Sequence, residues 1–250
     1  MRGEPAAAGF RRELHCSLPS TNDLLRDYAA AGEPEGLIVT AERQTAGRGR
    51  QGRAWSSPPG NLYASLLLRP TGPLGAAATL SLVIPLSVVD ALSALLADPG
   101  RLAVKWPNDV LLDGAKLAGI LLEGADDGAG GCAWVIAGVG VNLAAVPDGL
   151  PYAATSLARA TGRELTPDAF LDAWLPHLRR RLDVWSAGGF AALRPAWLAH
   201  AHRLGSEASL RLGEERISGR FADLLDDGSI VLERAPGRRE RFTAGELFFP

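Results

Sequence analysis

Residues 44–55 read QTAGRGRQGRAW, and this glycine- and arginine-rich stretch decides which folds the chain can adopt. Its three glycines satisfy the G-x-G-x-x-G pattern of dinucleotide-binding folds, and an apolar strand is predicted just before them at residues 37–41. A dinucleotide-binding fold needs a helix directly after the third glycine. Residues 56–60 instead read SSPPG, where no helix can begin. The sequence therefore predicts a loop between strands and argues against a dinucleotide-binding fold.

The same loop concentrates positive charge. Residues 43–89 contain no Asp or Glu. Glycines let the backbone approach an anion closely, and the side chains of Arg48, Arg50 and Arg53 can donate forked hydrogen bonds to a carboxylate or phosphate. Trp55 adds a flat surface for a base or an apolar ligand. The alternatives are a solvated flexible loop or a Gly-Arg tract that binds nucleic acid, but such a tract is typically repeated in a strongly basic chain.

The composition is that of a nearly neutral globular protein. The 250 residues include 26 basic and 28 acidic side chains, for a net charge of −2, and 47% are apolar. These values exclude a disordered tail, a coiled coil and a collagen. No secretory signal and no apolar run as long as the roughly 18–20 residues of a membrane span are visible. Without a membrane span or a secretory signal, we expect no membrane contact. The two cysteines have neither metal nor disulfide spacing, as is typical of a cytoplasmic protein.

All but two of the basic residues are arginine, and the two lysines lie close together in the sequence. Lys105 opens the segment KWPND, which places a cation, an aromatic ring, an amide and a carboxylate at the end of a predicted strand. Asp109 is a candidate Mg²⁺ ligand, because Mg²⁺ binds phosphates through one or two protein carboxylates. Lys116 leads into the apolar strand LAGILL, as expected for a buried cation that contacts an anionic ligand.

The predicted elements form an α+β fold. Strands are expected near residues 10–18, 37–41, 61–69, 102–106 and 134–143, with a hairpin turn at Asp113 and Gly114. Helices are expected near residues 23–31, 76–96, 167–186 and 190–201. Short β-like runs after Gly205 predict a small barrel, and the segment 1–9 is predicted to be disordered.

Five segments together resemble the biotin protein ligase family, and they occur in that family's order and with similar spacing. They are Ser20-Thr21-Asn22, residues 44–55, KWPND at 105–109, KLAGIL at 116–121 and GVGVN at 138–142. The resemblance covers residues 14–250. It implies a mixed β-sheet flanked by helices, as in class II synthetases and biotin ligases. A catalytic biotin- and ATP-binding domain would span residues 10–204, and an SH3-like β-barrel domain would span residues 205–250.

The function implied by this resemblance is ATP-dependent protein biotinylation. Such an enzyme activates biotin to biotinyl-5′-AMP, with Mg²⁺, and transfers biotin to one lysine of a biotin carboxyl carrier protein or domain. The residues agree with that chemistry, because a carboxylate and a triphosphate repel each other. Arginines, a lysine and Mg²⁺ can neutralise both by positioning and charge, without a covalent enzyme intermediate.

The resemblance also implies roles for individual residues. Four residues would hydrogen-bond the ureido head of biotin: Ser20, Thr21, Asn22 and Gln44. Residues of the loop and one lysine would contact the biotin carboxylate: Arg48, Gly49, Arg50 and Lys116. The ATP and adenylate contacts would come from Arg48, Arg50, Arg53, Trp55, Asn108, Lys116 and Asn142. Lys116 and Arg48 would be the catalytic pair and Asp109 the metal ligand, while Lys105 could steer pyrophosphate.

Two features depart from the family or limit the resemblance. Ala144 stands where the family often has a second Asn after its glycine-rich strand. About ten residues precede the first predicted strand, so we expect a monofunctional ligase without a DNA-binding domain or a nucleic-acid partner. The oligomeric state stays open, with a homodimer as one option.

Two rival functions fit the same residues. The nearer rival is a lipoate or octanoate ligase or transferase on a related fold, which would activate a different acid. The other is a nucleic-acid-binding module that uses the arginine loop and the C-terminal barrel. Residues 206–250 argue against it, because they contain seven Arg and nine acidic residues.

Overall fold

The computed structural model describes residues 2–250 and contains two β-sheets with helices packed on the larger one. The strands of the first sheet are β1 (Glu4–Pro5), β2 (Arg11–Leu18), β3 (Leu37–Gln44), β4 (Leu62–Leu68), β5 (Leu102–Lys105), β6 (Asp109–Leu112), β7 (Ala115–Asp126) and β8 (Cys132–Val141). The helices are α1 (Thr21–Ala30), α2 (Leu74–Ala77), α3 (Leu80–Ser93), α4 (Leu157–Thr161), α5 (Pro167–Gly188) and α6 (Arg194–Ala199). Strands of the second sheet are β9 (Glu207–Leu212), β10 (Glu215–Leu224), β11 (Ile230–Ala235), β12 (Arg238–Phe242) and β13 (Glu246–Phe248).

The first sheet is mixed, with the order β1-β2-β3-β4-β8-β7-β6-β5. Strands β2 and β3 run parallel, and the other neighbouring pairs are antiparallel. The predicted hairpin turn joins β6 to β7. Asp113 and Gly114 have φ angles of 53° and 76°, the positive values that both central residues of a type I′ turn require.

Helices cover the two faces of this sheet unequally. Alternate residues of a strand point to opposite faces. Ile38 of β3 and Leu66 of β4 join the large core cluster that contains α3 and α5, whereas Val39 and Leu67 join a small cluster with α1. Helix α1 therefore covers only part of its face, and the rest of that face is the floor of a cavity.

The second sheet is five-stranded and antiparallel, with the order β12-β11-β10-β9-β13. Most of its buried apolar residues belong to the same cluster as those of α3 and α5. Phe221 of β10 packs edge-on against Trp197 of α6, with 6.5 Å between the ring centroids. The indole N–H of Trp106 donates a hydrogen bond to the Gly228 carbonyl at 3.1 Å. The C-terminal sheet is thus packed directly against the larger part of the molecule.

Two segments differ in detail from the elements expected from sequence. The segment 1–9, predicted to be disordered, carries strand β1 and a 3-10 turn at Ala7–Gly9 over its described part. The predicted helix at 76–96 forms as the pair α2 and α3. Leu74–Ser93 is long and apolar enough to cross a membrane, but 67% of its most apolar window is buried inside the protein, as in a core helix.

Candidate active site

The part of the sheet face that α1 leaves bare is the floor of a cavity of about 300 Å³. Every candidate site residue except Asn142 lines this cavity. The lining candidates are Ser20, Thr21, Asn22, Gln44, Arg48, Gly49, Arg50, Arg53, Trp55, Lys105, Asn108, Asp109 and Lys116. The candidates come from four segments of the sequence, spread from Ser20 to Lys116, which the fold brings to one site.

Glycines create the space for this cavity. Gly119 of β7 and Gly140 of β8 are opposite each other in the sheet, and the Trp55 ring lies over both. A Cβ atom at Gly140 would lie 2.5 Å from the indole, and one at Gly119 would lie 3.0 Å from it. A Cβ at Gly138 would collide with the Asn22 amide. A side chain at Gly138 or Gly140 would therefore force Asn22 or Trp55 to move, and one at Gly119 would crowd the Trp55 ring.

The end of the cavity at α1 is polar and buried. Ser20, Thr21 and Asn22 are each 3% exposed. The Gln44 side-chain oxygen accepts hydrogen bonds from the Thr21 backbone N–H at 2.9 Å and the Thr21 hydroxyl at 3.1 Å. The Ser65 hydroxyl donates to Asn22 Oδ1 at 2.5 Å. This end can surround a neutral polar group, whose burial requires such hydrogen-bond partners.

The three loop arginines contact three different sets of acceptors. Arg48 lies 2.6 Å from Asp23 Oδ1 and 3.3 Å from Glu123 Oε1. Arg50 donates to the Asn108 side-chain oxygen at 3.3 Å and to the Gly245 carbonyl at 3.2 Å. Arg53 forms a 2.6 Å ion pair with Glu246 of β13. The loop is therefore held at one end beside α1 and at the other by the C-terminal sheet.

Lys116, the second residue of β7, also lines the cavity. Its side chain is 18% exposed, and its Nζ lies 2.7 Å from Asp109 Oδ1. The two groups form an ion pair, and the Asp109 side chain is buried to a similar extent, at 19% exposed. The ammonium also lies 5.5 Å from the ring centroids of Trp55 and Tyr152. A buried cation between two aromatic rings exerts a strong field on any anion in the cavity.

Burial and neighbouring charges shift the pKa values of two groups at the Lys105 side of the cavity. Burial lowers the pKa of Lys105, and the positive charges of Lys116 and Arg53 add to this effect against the pull of two nearby acids. Burial raises the pKa of Glu246, but the ion pairs with Arg53 and Arg211 outweigh it and lower the net value. This wall therefore holds Glu246 ionised and makes Lys105 easier to deprotonate than a free lysine.

Comparisons with known proteins agree with this geometry. The model of the biotin/lipoate A/B protein ligase family matches residues 14–142. A biotin–[acetyl-CoA-carboxylase] ligase of Paracoccus denitrificans is 45% identical over 216 residues, which span 84% of this chain and 89% of that protein. The chain belongs to the biotin/lipoate A/B protein ligase family.

Two further relatives of the ligase family match nearly the whole chain. A biotin–[acetyl-CoA-carboxylase] ligase of Mycobacterium tuberculosis is 33% identical over 97% of this chain and 90% of its own length. The solved structure of the biotin protein ligase from Aquifex aeolicus, in complex with biotin and ATP, superposes with a TM-score of 0.81. That match has 29% sequence identity and covers 95% of this chain and 97% of the other.

Asn142 is the candidate that the structure does not bring to the cavity. It follows the last residue of β8, and its side-chain amide donates to the Thr155 carbonyl at 3.2 Å. Its backbone N–H donates to the Leu117 carbonyl at 2.9 Å. In this ligase, Asn142 thus ties together the segments around Leu117 and Thr155.

Three residues near the ligase site were not among the candidates from sequence. Tyr152 and Glu246 line the cavity, and Glu123 contacts both Asn22 and Arg48. Tyr152 lies in a segment held beside Lys116, since the Lys116 N–H donates to the Ala153 carbonyl at 2.9 Å. Glu123 lies within β7 and Glu246 begins β13, both far along the chain from the loop, and no local motif marks them.

Proposed function

We propose that this chain is an ATP-dependent biotin protein ligase. It activates biotin to biotinyl-5′-AMP and transfers the biotinyl group to a lysine of a biotin carboxyl carrier domain. The observation that carries the proposal is the single cavity that Arg48 and Lys116 share with the buried polar residues at the α1 end. The relatives named as biotin–[acetyl-CoA-carboxylase] ligases and the Aquifex structure with biotin and ATP support it.

In the first step, a carboxylate oxygen of biotin attacks the α-phosphorus of ATP. A new P–O bond forms, the bond to the β-phosphate breaks, and pyrophosphate leaves. Both reactants are anions, so their approach must be stabilised by positive charge. We assign Lys116 to the space between the biotin carboxylate and the α-phosphate, where its ammonium stabilises the negative charge that builds up on the phosphoryl oxygens.

Asp109 has two roles in this proposal. Its contact with Lys116 holds the ammonium in place at 2.7 Å. It is also the carboxylate that would hold Mg²⁺, because Mg²⁺ brought by a nucleotide needs only one or two protein carboxylates. Within residues 2–250, no group of three or more potential ligand side chains forms a metal site without the nucleotide. When bound, Mg²⁺ would neutralise the phosphate charge.

In the second step, the amine of the carrier lysine attacks the biotinyl carbonyl carbon. An amide bond forms, AMP leaves, and the amine loses a proton. This step needs no nucleophile from the enzyme, because the mixed anhydride is already activated. The enzyme therefore has to retain the adenylate until the carrier arrives, and we assign that task to Arg48, Gly49 and Arg50 of the loop.

The polar α1 end favours biotin over lipoate as the acid. The buried groups of Thr21, Asn22 and Gln44 would face the ureido group of biotin, which can both donate and accept hydrogen bonds. The dithiolane ring of lipoate offers no comparable donors or acceptors, so its binding would desolvate this polar end without the compensating hydrogen bonds that a ureido group supplies. Calorimetry with each acid tests this choice, and tighter binding of lipoate than of biotin would reverse it.

The proposed function is tested by incubating the protein with biotin, Mg-ATP and an isolated carrier domain, followed by intact mass measurement of the carrier. We expect one biotinyl group per carrier and none on a carrier whose target lysine is replaced by arginine. A carrier of unchanged mass, from a folded enzyme that binds biotin, would contradict the proposal.

Arg48→Ala is expected to release the adenylate into solution. Arg48 lines the cavity and anchors the loop beside α1 through Asp23 at 2.6 Å, so its loss frees that end of the loop. We expect free biotinyl-AMP to dissociate about tenfold faster, as for the loss of a charge-assisted contact. The dissociation rate of labelled adenylate measures this effect. Arg234→Ala, in β11 and paired with Glu240, is the matched control and should release adenylate at the wild-type rate.

Lys105 is expected to act on the triphosphate rather than on biotin. In the Lys105→Gln variant, the KM for ATP should rise about tenfold while the affinity for biotin stays constant. An amine is charged below its pKa, and burial lowers the pKa of Lys105 from 10.5. The wild-type KM for ATP should therefore begin to rise with increasing pH before pH 10.5 is reached. Lys105→Arg should flatten this rise, and identical pH profiles for the two enzymes would contradict the assignment.

A further inference from the structure

Glu123 of β7 does not line the cavity, yet its carboxylate joins two parts of the site. Its Oε2 accepts a hydrogen bond from Asn22 Nδ2 at 2.6 Å. Its Oε1 lies 2.9 Å from the guanidinium of Arg26 and 3.3 Å from that of Arg48. One acid therefore touches a residue of the polar α1 end and the first arginine of the loop at the same time.

These contacts belong to a closed ring of four alternating charges. Arg48 lies 2.6 Å from Asp23, and Asp23 lies 3.0 Å from Arg26. The contacts of Arg26 and Arg48 with Glu123 complete the ring. A single exposed ion pair stabilises little, because water screens it. In the ring, however, Arg48 cannot leave without breaking two contacts at once.

Asn22 connects this ring to the floor of the cavity. The Ser65 hydroxyl, which is fully buried, donates to its Oδ1, and the absence of a side chain at Gly138 leaves room for the amide. Glu123 holds the other end of the same amide. Because the Asn22 amide is fixed from both ends, its orientation and the position of the Glu123 carboxylate depend on each other.

We propose that Glu123 is a positioning residue that couples occupancy of the biotin pocket to retention of Arg48 over the adenylate. The inference rests on the proposed function, because it takes biotin as the ligand that contacts Asn22. A ligand that holds Asn22 also holds the Glu123 carboxylate toward Arg48. The loop at residues 44–55 then stays over the biotinyl adenylate until the carrier domain binds. Without the charge of Glu123, Arg48 keeps only Asp23.

The test compares adenylate release from the full-length wild type and Glu123→Gln at low and high salt. Glutamine keeps an oxygen for Asn22 but removes the charge that faces Arg48. We expect release about three- to tenfold faster at low salt. Salt should speed release from the wild type, because it screens the ring, and should have a smaller effect on the variant. The matched control is Glu13→Gln, since the Glu13 carboxylate has the same 22% exposure but contacts His15 and Tyr28.

Two further variants separate coupling from a general loss of structure. Asp23→Asn changes the other acid of the ring at a 41% exposed position, and it should speed release in the same direction without affecting folding. The double variant Arg48→Ala/Glu123→Gln should release adenylate no faster than Arg48→Ala alone, because both changes remove the same contact. Fully additive effects would overturn the inference.

The outcomes also distinguish this inference from the proposed function. A wild type that forms adenylate, with unchanged release in both Glu123→Gln and Asp23→Asn, overturns the inference alone. A folded wild type that forms no adenylate overturns the proposed function and the inference with it.

Discussion

Lys116→Ala is expected to slow adenylate formation by about 100- to 1000-fold while the protein stays folded. The ammonium is mostly buried beside Trp55 and Tyr152, where its field on the two reacting anions is weakly screened. The side chain lines an existing cavity, so its removal enlarges that space and leaves no new void in the core. The measurement is the conversion of α-phosphate-labelled ATP to biotinyl-AMP at saturating biotin and ATP.

The chain offers a close comparison for this variant. Lys105 is its other lysine and lies on the wall of the same cavity. At saturating ATP, Lys105→Gln should form adenylate at a rate within a few-fold of the wild type, because its expected defect is in ATP binding. Equal melting temperatures would exclude unfolding as the cause of a loss in Lys116→Ala. Near-normal adenylate formation by folded Lys116→Ala would remove this residue from the mechanism.

Local sequence patterns predicted much of the fold. Asp113 and Gly114 suit a type I′ turn, and the hairpin between β6 and β7 forms there. The SSPPG segment after the glycine loop prevents a helix, and β4 begins at Leu62. Such local patterns could not predict the parallel pairing of β2 with β3, because that pairing depends on the path of α1 between the two strands.

The sequence predicted those parts of the candidate site in which one short segment carries several functional groups. The loop at 44–55 and the segment at 105–109 each do so, and both line the cavity. Glu123 and Glu246 are single acids whose role depends on tertiary contacts with Arg48 and Arg53. Asn142 is two residues beyond Gly140, so in a continuous strand it would face the cavity as Gly138 and Gly140 do. However, β8 ends at Val141, and the Asn142 side chain bonds to Thr155 instead. Alternation places a side chain only while the strand continues.

The glycine floor of the cavity allows a test that leaves every charged group unchanged. Gly140 is the next-to-last residue of β8 and pairs with a strand on each side; a β-branched residue suits such a backbone, and Gly140 has no positive φ. The ideal position of a Cβ at this residue is 2.5 Å from the Trp55 ring. Within residues 2–250, the buried Trp55 Nε1 has no hydrogen-bond partner, and the ring packs on the glycines beside the Lys116 ammonium.

Gly140→Val is therefore expected to lower adenylate formation by about 100-fold, because it pushes Trp55 into the space that the reactants need. Single-turnover adenylate formation and biotin calorimetry measure the loss. Gly75→Ala in α2 is the control and should match the wild type. Apart from its chain neighbours and the backbone of its own helix, no atom of residues 2–250 lies within 4 Å of a Cβ at that position. Gly140→Val/Trp55→Ala should be no worse than Trp55→Ala alone, because the clash is then absent. If the double variant is far less active than Trp55→Ala, the valine disturbs the sheet itself and does not act by displacing the Trp55 ring. That result would contradict the role assigned to Gly140.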